Sequence, residues 1–485
     1  MNASYELDFP ILKMEGQPGF TLRNAVEGVQ VFGGIGSGKT TGSGATLALK
    51  YLKAGYGGLV LTVKKSEVDH WKKYCQATNR LDDLIIVSPE NPYCFNFINY
   101  EAMAPKELGG GLTDNIANLF KTLITVDELS KGKMGDDPFW ENALNMLLYN
   151  TIDLCLLAHK KVTIDDLNSI VSTIPTNSRA FENRSFLENT PFGIAWLRTK
   201  DIQNEDLQRH INNVTSYFET NHADLHHETR SIIDYSFMGL MLLLTRDPIY
   251  SLFCSPKWDR INNPSCSIAP ENCRNGKIIL IDLPVNLYQK VGRDGQILFK
   301  YIWQRTMLRG SAKKETRPVF LWADEAQHFI HEMDIDYQAV AREQKICTVY
   351  LSQNISNYFN KLGGERGKYL VYSFLGTIGT KIFHANSDIE TNNYASALIG
   401  KEYKKKVSKS EQISPRVSRS KSTDIIKDSS VEPEEFARLK TGGKPNDYIV
   451  EAYAHKQGMP WPGTTGNYLK MEFEQYLSEE ISIKP

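Results

Sequence analysis

The chain of 485 residues lacks any long apolar run. Its best stretch, "YSFMGLMLLL" at Tyr235–Leu244, falls well short of the roughly 20 residues a helix needs to cross a bilayer. The start, "MNASYELDFPILKMEG", has neither the basic opening nor the apolar core of a secretory signal. An excess of one charge is also missing. With 56 basic and 57 acidic residues the net charge is −1, so no overall field draws the chain to a polyanion or a membrane surface. Any such site must be local, or built by several copies together. Cysteine is scarce. The seven residues Cys75, Cys94, Cys155, Cys254, Cys266, Cys273 and Cys347 are scattered, odd in number and free of CxxC spacing. That argues against a disulfide framework and for a reducing compartment, the cytoplasm. Cys254, Cys266 and Cys273 are loosely grouped, and ordinary thiols explain them better than zinc does. No internal repeat is evident. What remains is a soluble globular chain with no membrane segment of its own, long enough for about three domains.

What is present begins with "VFGGIGSGKTTG", Val31–Gly42. Gly33-x-x-x-x-Gly38-Lys39-Thr40 has the spacing of a phosphate-binding loop, with an apolar strand before it and a helix after it. Glycines let the backbone curl so that N–H groups face phosphate oxygens, and the helix adds its positive end. The expected nucleotide contacts are Gly33, Gly34, Ile35, Gly36, Ser37, Gly38, Lys39, Thr40 and Thr41. Lys39 would neutralise the outer phosphates of ATP, and Thr40 would ligate Mg²⁺.

The acidic partner of such a loop comes late. "PVFLWADEAQ" ends an apolar strand with Asp324 and Glu325, 285 positions beyond Lys39. Asp324 suits the Mg²⁺ shell, and Glu325 suits the polarisation of an attacking water. Gln353 closes the next strand, "VYLSQN", at the end of a parallel sheet that faces ligands, where it could sense a terminal phosphate. Arg342, between them, reads from its residues alone as an exposed helix arginine or as an arginine finger. His328 and His331, and the pair His226–His227, lack further metal ligands and read as structural or solvent-facing.

The long gap is filled by a change of texture. "GGLVLTV" (57–63) and "LIIVS" (84–88) are compact apolar runs suited to buried parallel strands, with a helical stretch between them. From about 100 to 275 the chain reads as helices, among them "DPFWENALNMLLYNTIDLCLLA". Strand texture returns in "KIILIDLP", "PVFLWADEA", "CTVYLSQN" and "GTKIFHAN". The expected fold class is α/β: a nucleotide-binding core with a mainly parallel sheet, interrupted by an inserted all-α domain. The expected boundaries are 1–99 and 276–470 for the two parts of the core, 100–275 for the insertion and 471–485 for a tail. Within the second part, "KEYKKKVSKSEQISPRVSRSKS" (401–422) is basic and serine-rich, with eight Lys or Arg against two Glu over Lys401–Lys421. It reads as a solvated loop or hairpin, or as an arm that contacts phosphates.

Taken together, "GGIGSGKTTG", "GGLVLTVKKSEVDHWKKYC", "DDLIIVSPENPYCFNFINYE", "DPFWENALNMLLYNTIDL", "LWADEAQ", "YLSQNIS", "GTKIFHANSDIETNNYASALIGK" and "FARLKTGGKPNDYIVEAY" resemble the TraG/TraD-like coupling proteins of conjugative type IV secretion. These lie within the wider FtsK/HerA group of motor ATPases, and the similarity runs over most of residues 20–470. The resemblance implies a RecA-like core, a homohexameric ring, ATP hydrolysis and movement of DNA through a central channel. It implies an arginine finger at Arg342 and a sensor at Gln353. It implies relaxosome, secretion-channel or defence-effector proteins as partners, with the all-α domain as the place of recognition. Two departures are plain. Many members begin with membrane helices, and none is read here. Where many have an Asp-Pro-Lys-Gly-like turn, this chain reads "TVKKSE". The leading expectation is an ATP-driven DNA translocase, with strandedness open. The alternative is an ATP-gated module that binds DNA or an effector without processive movement, and a protein unfoldase comes third.

Overall fold

A computed structural model describes residues 5–14, 16–105, 113–130, 138–309, 312–331, 333–362, 365–412 and 418–476. Among them, thirteen strands follow in chain order: β1 (Pro10–Met14), β2 (Gln17–Thr21), β3 (Val29–Phe32), β4 (Gly57–Leu61), β5 (Leu84–Val87), β6 (Ile278–Ile281), β7 (Val319–Ala323), β8 (Ile346–Ser352), β9 (Thr380–His384), β10 (Lys401–Gln412), β11 (Ser418–Ser429), β12 (Ile449–Lys456) and β13 (Tyr468–Glu474). The chain divides into two compact units that alternate along it. One takes the described parts of 1–56, 70–81 and 313–485, the other those of 57–69 and 82–312.

In the first unit, strands run in the order β13-β12-β9-β3-β8-β7. β3 lies parallel to both β8 and β9, and β7 is parallel to β8. β12 is antiparallel to β9 and to β13. Every residue of β3, β7, β8 and β9 is buried, which is why these segments read as apolar runs rather than alternations. Phe32 stacks on Phe383 at 5.9 Å and meets Tyr358 edge-on at 6.1 Å. Truncating such a ring to Ala costs about 3–5 kcal/mol. Gln30, polar and buried in the same strand, is satisfied: Tyr358 Oη donates to its Oε1 at 3.0 Å. β10 and β11 form a separate antiparallel ribbon.

The second unit carries β4-β6-β5, all parallel. Buried Gln296 ties two strand ends together. Its Oε1 accepts from Thr62 N (2.7 Å), and its Nε2 donates to Thr62 O (2.9 Å) and Leu283 O (2.8 Å). Between β5 and β6 the described residues form helices and no sheet strand, including Thr113–Ser130, Pro138–His159, Pro191–Lys200, Glu205–Ser216 and His227–Leu244. This helical excursion has a closed neck. Cys94 N donates to Cys266 O (2.8 Å), Ile268 N to Cys94 O (3.1 Å), and Phe95 N to Leu252 O (2.7 Å).

Several sequence-based expectations shift in detail. β13 runs to Glu474, across the boundary expected at 470, because it completes the sheet beside β12. The rest of the expected tail, 477–485, lies outside the described residues. The basic segment 401–422 is a ribbon that extends to Ser429, and its positions 413–417 also lie outside them. Cys273 is a buried hydrogen-bonding thiol: its Sγ donates to Gly58 O at 3.2 Å and accepts from Trp303 Nε1 at 3.3 Å. No helix among the described residues is long and apolar enough to cross a membrane.

Candidate active site

The glycine loop leaves the end of β3 and is pinned by its neighbours. Gly33 N donates to Ser352 O at the end of β8 (3.2 Å), and Gly34 N to Ala385 O just past β9 (2.9 Å). Gly38 has a φ of +78°, and a Cβ there would lie 2.5 Å from Val450 Cγ2, so neither conformation nor space admits a side chain. The helix that follows opens with a wide turn, Thr40–Gly44, before regular helix over Ala45–Lys53. Gly44 N closes that turn on Lys39 O at 2.9 Å, and a Cβ on Gly44 would meet the same oxygen at 2.9 Å.

Chain topology then brings the distant acidic pair to the loop. Thr40 Oγ1 donates to Asp324 Oδ2 at 2.7 Å. Asp324 Oδ1 accepts from Glu325 N at 2.9 Å. Lys39 Nζ stands 3.7 Å from Glu325 Oε1, both side chains being buried. Gln353 Nε2 donates to that same Oε1 at 3.1 Å, and Gln327 Nε2 donates to Oε2 at 2.9 Å. Glu325 itself sits in the left-handed region at φ 51°, ψ 47°. A non-glycine residue there stores about 1–2 kcal/mol of strain, held by these contacts.

Five of the residues singled out in the sequence thus converge: Lys39, Thr40, Asp324, Glu325 and Gln353. Beside them opens a cleft of about 610 Å³ lined by Gly34, Ile35, Ser37, Gln353, Asn386 and Asp388. Ser37 Oγ is buried at the loop with no partner. The donors fit a nucleotide: a loop that excludes side chains, an ammonium, an orphan hydroxyl, and a hydroxyl–carboxylate pair of hard oxygens suited to Mg²⁺.

Arg342 is elsewhere. It follows the helix Met333–Ala341, is half-exposed, and pairs with Glu27 Oε1 at 3.4 Å. Glu27 precedes β3 and Arg342 precedes β8, so both lie at the N-terminal edge of these parallel strands, whereas the loop and Gln353 lie at the C-terminal edge. Seven residues of β8 at about 3.3 Å each put roughly 20 Å between the two edges. The described residues hold no His, Cys, Asp and Glu cluster with metal-binding geometry. His331 instead caps a turn, its N–H donating to Asp334 Oδ2 at 2.9 Å.

Three supporting residues escape a sequence reading. Gln327 orients Glu325 and in turn accepts from Ser352 Oγ at 2.8 Å. Ser43 and His384 form a brace behind the loop. His384 is fully buried, and its Nδ1 faces Glu451 O at 3.0 Å, an atom that can only accept. Nδ1 therefore carries the proton, and Nε2 accepts from Ser43 Oγ at 2.7 Å. Burial, and then the nearby Lys39 charge, push the imidazole down to about 4, so it is neutral. Only "ADEAQ" gave any signal, because Gln327 stands inside it; nothing in sequence links Ser43 to a histidine 341 positions away.

A strand-borne glycine loop, a glutamine closing the adjacent parallel strand and an acidic pair on the strand beyond it make up a RecA-like P-loop fold with a helical insertion. Residues 318–441 match the family model TraG-D_C, described as the TraM recognition site of TraD and TraG. No curated protein sequence matches the chain. Among solved structures, the bacterial conjugative coupling protein TrwBdeltaN70 in an unbound form is similar, with a TM-score of 0.59 and 14% identity, covering 96% of this chain and 89% of that one. TrwB with the ATP analogue ADPNP gives 0.59 at 15% identity with the same coverage, and TrwB with ADP and Mg²⁺ gives 0.55 at 14%. The chain shares the fold of these coupling proteins, and the family model matches its residues 318–441.

Proposed function

We propose that the chain is an ATP-hydrolysing motor that moves DNA, working as a ring of identical subunits in conjugative transfer or a related mobile-element system. The observation that carries this is the convergence of Lys39, Gln353 and Gln327 on the carboxylate of Glu325, beside the Thr40–Asp324 pair. A site built only to hold nucleotide has no need of a second, strained and firmly oriented carboxylate. Glu325 acts as the base that orients and polarises the attacking water. Lys39 neutralises the outer phosphates, and Mg²⁺ held by Thr40 and Asp324 supplies charge neutralisation when bound. Gln353 shares its bond between Glu325 and the terminal phosphate, so loss of that phosphate is felt at the end of β8.

Arg342, at the opposite sheet edge, serves a neighbour's site rather than its own. The similar solved proteins are described as conjugative coupling proteins, with structures in complex with nucleotide analogues and with ADP and Mg²⁺. The matched family model is described by recognition of TraM, which supports a dedicated protein partner for the same region here.

The test is ATP turnover with and without single- and double-stranded DNA. Turnover rises with DNA, and Glu325→Gln lowers it at least about hundredfold while ATP still binds. Hydrolysis indifferent to every DNA form sinks the motor. Full biological activity in Glu325→Gln favours a gated assembly module instead.

A further inference from the structure

The β10–β11 ribbon sorts its charges by face. The register is unbroken from Lys401 opposite Ser429 to Gln412 opposite Ser418. Directly opposed residues share a face, and faces alternate along each strand. One face therefore takes positions 401, 403, 405, 407, 409 and 411 with their partners 429, 427, 425, 423, 421 and 419. Among the described side chains it holds Lys401, Lys405 and Lys427 and no acid. The other face holds one basic residue, Lys404, and two acids, Glu402 and Asp428. A chain of net charge −1 thus places three positive charges on one side of the described ribbon and a net negative charge on the other.

Exposure differs between the faces in the same sense. On the basic face, Lys401, Tyr403, Lys405, Thr423, Ile425 and Lys427 are all exposed and Ser429 is half-exposed, with Tyr403 at 75% and Ile425 at 67%. On the other face Glu402 is exposed, but Lys404, Ile426 and Asp428 are only half-exposed, and Lys404 Nζ is tied to Ser429 O at 2.5 Å. The positive side is the more exposed side.

We infer that this face is a grip for double-stranded DNA. The inference rests on the DNA-motor reading and adds where, and in which form, the polymer is held. A two-stranded ribbon is of the size the major groove of B-form DNA admits. Twelve residues at about 3.4 Å give a ribbon roughly 40 Å long, and alternate residues repeat at about 7 Å along it. That is a row of cations beside a row of phosphates. A single strand is gripped chiefly by stacking on aromatic rings. Tyr403 is the lone ring on this face, so stacking contributes little.

The register supplies a charge-matched test. Lys405→Glu lowers the charge of the basic face by two, and Lys404→Glu lowers that of the other face by two. The full chain is titrated with a 30-base-pair duplex and a 30-nucleotide oligo-dT in an ATP analogue at several salt concentrations. Thermal unfolding checks that both variants fold. The first variant binds duplex about tenfold more weakly at 0.1–0.2 M salt, with the salt slope reduced by about 1.8, and the second stays within about twofold of wild type. Equal loss in both variants, or loss in neither, overturns the ribbon grip, and a ribbon serving a protein partner gives the latter. Wild-type binding confined to oligo-dT overturns the duplex assignment while leaving the motor standing. A wild-type chain that binds neither, with turnover unmoved by DNA, fails the motor reading itself.

Discussion

His384 shows how one buried residue ties the catalytic loop to pH. Its imidazole is held neutral down to about 4, against an ordinary value of 6.5. Below 6.5 the unfolded chain takes up a proton that the folded chain refuses. The associated stability is complete above about 6.5 and drains away as pH falls toward 4. For the full shift it is on the order of 3 kcal/mol. His455, likewise held near 4 by burial and by Lys381, adds a contribution of the same sign. Urea midpoints of the wild type therefore drop between pH 7.5 and 5, and His384→Gln shows a visibly shallower drop. An unchanged slope in that variant removes His384 from the account. Protonation would place a second cation beside Lys39 and cost Ser43 its acceptor, so the loop loosens before the fold does.

At the scale of elements, the wide turn Thr40–Gly44 sets the direction in which Lys39 and Thr40 are presented. Gly44→Ala would push a methyl group to 2.9 Å from Lys39 O and 3.0 Å from Leu351 Cδ2. The expected cost is about 1–3 kcal/mol of stability, with weaker ATP binding, read from denaturant midpoints and nucleotide titration. Near-wild-type values for both would mean the turn tolerates crowding. Such elements were legible in sequence to different degrees. β3, β7, β8 and β9 are buried on both faces, so each stands out as an unbroken apolar run. β12 is equally buried but spells "IVEAYAHK". Its Glu451 accepts from Lys440 N, its His455 meets Asn467, and its Lys456 donates to Gly19 O, so polar residues fill a core strand by finding partners. A pattern reading counts those residues as exposed. The acidic pair and Gln353 were legible because their chemistry has a spacing signature. Ser43, His384 and Gln327 were not, since each is defined by a contact across the sheet or around a turn. The ribbon's charge was legible, but its segregation by face depended on a register that no composition fixes.

At the scale of the whole molecule, the placement of Arg342 bears on the proposed ring, in which the active site would be shared between subunits. A guanidinium at one sheet edge and a phosphate loop at the other meet only between copies arranged head to tail, a contact that gives a ring when its rotation closes and a filament when it does not. Mixing variants tests this directly. Arg342→Ala and Glu325→Gln are each expected to be nearly inactive, the former by about 10³-fold or more. In a random equal mixture, about a quarter of the interfaces pair an intact Glu325 with an intact neighbouring Arg342, so turnover recovers to that order. No recovery on mixing would show that the two residues do not meet across subunits. The neck of the helical excursion carries a different consequence. The chain departs and returns at Cys94 and Ser267 side by side, one strand spacing or about 4.8 Å apart. What hangs between them is attached like a cassette to a socket. Closing the socket with a few small residues costs little loop entropy. The helical excursion is therefore free to vary in length and content while the strands it leaves and rejoins stay as they are.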